Sequence, residues 1–146
     1  MKGETKLKRE FERHILNVWR CGNRLYKTRL NYPQIRWFHQ KENTPIEKQD
    51  AGYALSWREI YFCFEYLVFY KEEMEAVGIH EVAHCFADYR NYKNCRGENV
   101  HGRVWRDTAT RLAREFNCLL PVANHAYHTM ELSNEQIRYC KPKRRK

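Results

Sequence analysis

Two histidines and a glutamate stand close together in the run His80-Glu81-Val82-Ala83-His84. On a helix, residues four positions apart share one face, with their Cβ atoms about 5 to 6 Å apart, so both imidazoles can bind one metal ion. This HExxH spacing is typical of zinc sites in which the glutamate acts on a water molecule rather than on the metal. The run therefore predicts a zinc site with His80 and His84 as ligands and Glu81 as general base.

A catalytic zinc ion usually has three protein ligands and one open position, so a third ligand must come from elsewhere in the chain. In metzincins a third histidine follows the pair within one short turn, after a glycine. The run from Cys85 to Arg90 contains neither residue, which excludes that class. Two candidates remain, Glu115 and His101. We favour His101, because it begins the next amphipathic segment after a loop long enough to fold back.

The N-terminal part of the chain must build a support for this site. Apolar residues recur at steps of three and four over residues 4–30, which predicts one long amphipathic helix. Aromatic and β-branched residues then dominate at 35–40 and 52–57, separated by turn-forming residues, which predicts a hairpin. Residues 58–64 predict a third strand.

Two helices are predicted to carry the ligands. Helical spacing returns at 72–89, with the histidine pair near its middle, and again at 102–117. The polar segment 90–100 between them shows no period and predicts a loop. Beyond it, residues 119–127 form a short apolar segment, and 133–139 predict a short helix.

From about Asp50 to Asn117 the sequence resembles the SprT-like zinc metalloprotease family, which includes Spartan-type proteases acting on DNA–protein crosslinks. The resemblance is carried by AGYA at 51–54, by REI at 58–60, by the HExxH helix and by HGRVW at 101–105. Residues 15–30 are similar to the leading helix of that family more loosely.

The resemblance implies an α+β, zincin-like domain with a long N-terminal helix, a small antiparallel sheet of about three strands and two ligand-bearing helices. It makes His80, His84 and His101 the zinc ligands and Glu81 the general base of a peptide-bond hydrolase. The group that stabilises the oxyanion stays open, with Arg103, Tyr127 and His128 as candidates. Many family members also carry a cysteine-paired zinc ribbon. This chain has no CxxC pair, so we expect no second zinc.

The charge of the chain is concentrated at its ends. The net charge is +9 over 146 residues, and residues 1–30 hold nine basic against three acidic side chains. The last six residues, 141–146, hold five basic side chains. We expect one domain over 1–140 followed by a disordered basic tail, with a protein as substrate and nucleic acid as a further partner of the two basic ends.

The cysteine content and the hydropathy of the chain indicate where in the cell the protein is expected. Six cysteines occur without an apolar signal segment at the N-terminus, and no apolar run is long enough to cross a bilayer. We therefore expect a cytoplasmic protein with reduced thiols and no membrane contact. Two rivals to the peptidase remain: a non-catalytic nucleic-acid-binding protein with a structural zinc, and a zinc hydrolase with a non-peptide substrate.

Overall fold

The structure is a computed structural model that describes residues 2–95, 97 and 101–118. This part of the chain has an α+β fold with four α-helices and a three-stranded mixed sheet, so the predicted α+β class is confirmed. The helices are α1 (Lys2–Tyr26), α2 (Phe64–Phe69), α3 (Met74–Lys93) and α4 (Arg103–Glu115), and the strands are β1 (Gln34–Phe38), β2 (Gly52–Leu55) and β3 (Glu59–Cys63).

Some of the predicted features lie outside the described residues. These are the segments 119–127 and 133–139, the domain boundary at residue 140 and the basic tail 141–146. Within the described ranges, no helix is both long and apolar enough to cross a membrane.

Helix α1 ends at Tyr26, although helical apolar spacing continues to about residue 30. The carbonyl of Asn23 accepts the backbone N–H of Thr28 at 2.9 Å, and Lys27 has a left-handed φ of 52°. A left-handed residue followed by such a hydrogen bond is a common way for an α-helix to end. The Asn23 side chain then bonds the backbone N–H of Leu30 at 3.0 Å and its carbonyl at 3.1 Å. The amide of Asn23 therefore holds residues 28–30 against the end of α1.

Strand β3 lies in the middle of the sheet, antiparallel to β2 and parallel to β1. Three strands are confirmed, but the predicted hairpin between the first two strands and the fully antiparallel sheet are wrong. Antiparallel neighbours need only a tight turn, which Ser56 forms with a φ of 56°, whereas parallel neighbours need a long crossover. Because Ile60 and Phe62 are fully buried, β3 takes the central position.

Helix α3 forms the centre of the fold and packs against α1, α4 and β2. Two glycines allow the close approach of α1 and α3. A Cβ at Gly22 would lie 2.5 Å from the ring of Phe86, and one at Gly78 would lie 2.7 Å from Cδ1 of Ile15. Glycine destabilises a helix interior. The close packing of α1 against α3 explains why glycine nevertheless occurs at both positions.

Candidate metal centre

Three imidazoles meet between α3 and the start of α4. His80 and His84 project from successive turns of α3, and His101 lies two residues before α4. Nε2 of His80 is 3.0 Å from Nε2 of His84 and 3.4 Å from Nε2 of His101. The ligand atoms of all three residues lie within 4.8 Å of one another.

These separations fit a metal ion. Nitrogen ligands of a tetrahedral zinc ion, each at 2.0–2.1 Å from the metal, lie about 3.3 Å from one another. The two distances from His80 bracket this value. The structure therefore brings together the three predicted ligands in an arrangement that could hold a metal ion.

The site is buried, which keeps the imidazoles uncharged. His80 is 4% exposed and His101 is 8% exposed, and His84 is half-buried. Burial lowers the pKa of His101 to about 4. Burial, with the neighbouring His101, lowers the pKa of His84 to about 3, and burial holds the pKa of His80 well below its usual value. At neutral pH all three rings are therefore neutral, the form that binds a metal.

Glu81 lies beside the first ligand and is also buried, at 4% exposure. Its Oε1 is 3.3 Å from Nε2 of His80, and its Oε2 makes no hydrogen bond with any described residue. Burial raises the pKa of Glu81 to about 8, and the charge of Asp50 adds to the effect. Without a metal this group is therefore mostly protonated at neutral pH. A cation held by the histidines would lower this pKa, and the carboxylate form could then accept a proton from a molecule bound next to the ligands.

The other candidates from the sequence are placed differently. Glu115 is exposed at the last residue of α4, about 18 Å along the helix axis from Arg103, and does not join the histidines. Arg103 lies exposed in the first turn of α4. Tyr127 and His128 lie outside the described residues. The alternative of Glu115 as third ligand is therefore not supported by the geometry.

Sequence reasoning missed the contacts that fix α3 against α4. The predicted loop at 90–100 begins too early, because α3 continues to Lys93. Nη1 of Arg90 donates to Oδ2 of Asp107 at 3.0 Å and to Oγ1 of Thr108 at 2.9 Å. The guanidinium also lies 4.5 Å from the centre of the Tyr26 ring, so it joins three helices. No short motif marks such a contact.

The chain matches no protein-family model, no curated protein and no solved structure.

Proposed function

We propose that this chain is a zinc metallopeptidase with a SprT-like, zincin-type fold, in which His80, His84 and His101 hold the metal. The observation that carries the proposal is the convergence of three neutral imidazoles beside the buried carboxyl group of Glu81. A structural zinc site is usually closed by a fourth protein ligand. Among the described residues the group has three members, the number that is typical of a catalytic zinc site.

The chain supplies the proton transfer in this scheme. Zinc, when bound, supplies a Lewis acid that polarises a peptide carbonyl and acidifies water. Glu81 accepts a proton from water as the water oxygen bonds to the carbonyl carbon. It then gives that proton to the amide nitrogen as the C–N bond breaks. Burial makes the carboxylate of Glu81 a stronger base than an exposed one.

The test is Glu81→Gln, with Glu75→Gln as the matched control. Both residues lie on α3, and Glu75 is exposed in its first turn. We expect both variants to keep the zinc content of the wild type, and Glu81→Gln to lose about 100-fold or more of casein cleavage. Cleavage retained in Glu81→Gln, or no cleavage by the zinc-loaded wild type, would refute the proposed peptidase activity.

A second role, nucleic-acid binding, is favoured by a row of exposed basic side chains on α1. They follow one another at steps of three, four and seven residues, which places them on one face over about 27 Å. The row consists of Lys6, Arg9, Arg13, Arg20 and Arg24.

This basic row faces away from the core. The buried side of α1 carries Phe11, Ile15 and Val18, which pack inward. A straight row of cations attracts a phosphate backbone through counterion release. We propose that it brings the peptidase to proteins bound or crosslinked to DNA. A chain that bound DNA and zinc but cleaved nothing would instead be the non-catalytic binding protein.

A further inference from the structure

One aromatic side chain touches all three candidate ligands. The ring centre of Trp105 lies 4.4 Å from that of His101, 4.8 Å from His80 and 5.3 Å from His84. The His84 ring is stacked on the indole at 29°, and the other two meet it at 63° and 72°. Trp105 is 1% exposed. A rigid ring therefore forms one wall of the site.

The same side chain also joins the two helices that carry the ligands. The indole Nε1 of Trp105, in the first turn of α4, donates a hydrogen bond to the backbone carbonyl of His80 at 3.3 Å. The acceptor belongs to the residue that supplies the central ligand nitrogen. The position of α4, and hence of His101, is therefore fixed against the turn of α3 that carries His80.

A rigid wall of this kind can fix the orientation of the histidine rings. The terminal torsion of a histidine side chain has broad minima, so its own preferences do not fix the direction of the ring nitrogens. Neighbouring groups must impose that direction, and loss of groups that orient ligands typically lowers metal affinity 10- to 100-fold.

We infer that Trp105 is a positioning residue that holds His80, His84 and His101 in the arrangement that binds metal. The inference rests on the metal-binding part of the proposed function and extends it, because it assigns metal affinity to a side chain that cannot bind metal. It also predicts a role for Trp105 beyond filling the core.

The first experiment compares Trp105→Phe and Trp105→Leu with the control Trp37→Phe. Trp37 is partly buried and its indole donates to Oε1 of Glu12 at 2.9 Å, but it lies on the sheet, away from the histidines. Each metal-free protein is titrated with Co²⁺ below its unfolding temperature, and the visible absorption spectrum is recorded.

We expect Trp105→Phe to bind Co²⁺ about 10- to 100-fold more weakly than the wild type, with an altered spectrum. Trp37→Phe should bind as the wild type does. Equal affinity and an equal spectrum in Trp105→Phe would overturn the inference while leaving the metal site intact. A wild type that binds no Co²⁺ would instead refute the proposed function.

A second experiment uses the wild type and does not depend on the folding of a variant. If the Trp105 hydrogen bond favours metal binding, metal binding must favour that hydrogen bond by the same free energy. We therefore expect zinc to slow hydrogen exchange of the Trp105 indole N–H, measured by NMR, more than that of Trp37. Equal slowing of the two would overturn the inference.

Discussion

Nε2 of His101 lies 3.4 Å from Nε2 of His80, although 21 positions of the chain separate the two residues. Closing the segment between them costs conformational entropy. The apolar face of α4, which includes Leu112 and Ala113, is buried against the core. This burial offsets the entropic cost. Helix packing therefore brings His101 to the histidine pair on α3, and the site depends on the integrity of the fold.

His101→Ala should weaken zinc binding by more than about 100-fold, because it removes one of the three proposed ligands and the affinity of such sites depends steeply on each group. Glu115→Ala, at the far end of the same helix, should leave zinc affinity unchanged. Competition with a chromophoric chelator measures both. An unchanged affinity in His101→Ala would exclude His101 as a ligand.

The metal-free protein should lose stability as the pH falls from about 6.5 towards 4, because the lowered pKa values of the three histidines outweigh the opposite effect of Glu81, whose pKa is raised to about 8. Above that range the three site histidines are neutral in both the folded and the unfolded chain. Below it the unfolded chain binds protons that the folded chain does not, because burial lowers the pKa of His101 to about 4 and of His84 to about 3.

Each such histidine should lower the free energy of unfolding by up to about 1.4 kcal/mol per pH unit. Urea unfolding in the presence of a chelator, at several pH values, gives this slope. His101→Gln should show a shallower fall than the wild type. Identical slopes would contradict the assigned cause.

Gly22→Ala should destabilise the protein by about 1 to 3 kcal/mol, because the added methyl group would overlap the buried ring of Phe86. This loss should exceed the gain of about 1 kcal/mol that alanine brings to a helix. Gly3→Ala is the matched control on α1, since nothing lies within 4 Å of its added Cβ. Thermal unfolding should show opposite signs for the two variants, and a stabilised Gly22→Ala would show that α1 and α3 do not pack so closely.

Replacing Arg9, Arg13 and Arg20 with alanine should weaken DNA binding and flatten its dependence on salt. Each lost phosphate contact lowers the slope of log K against log salt by about 0.9. The control removes the same charge elsewhere, from the exposed residues Lys41, Lys48 and Lys71. Fluorescence anisotropy at several salt concentrations measures the slope, and equal slopes in the two triple variants would exclude a specific role for α1.

Local patterns in the sequence were sufficient for much of the architecture. The helical period predicts α1, α3 and α4 within a few residues of their ends, and the spacing of His80 and His84 places both on one face of α3. These features depend on residues a few positions apart. Periodicity therefore reports them before any tertiary contact is known.

Other features could not be predicted because they depend on contacts between distant residues. Short-range spacing could not show that β1 pairs with β3, or that the two strands run parallel, because the paired residues, such as Gln34 and Glu59, are 25 positions apart. Nor could it show that the Trp105 ring lies against the three histidines. The sequence by itself determined the helix that carries the HExxH run. Only the tertiary structure decided that His101, and not Glu115, completes the group, because the packing of α4 brings its first turn, and not its last, against His80.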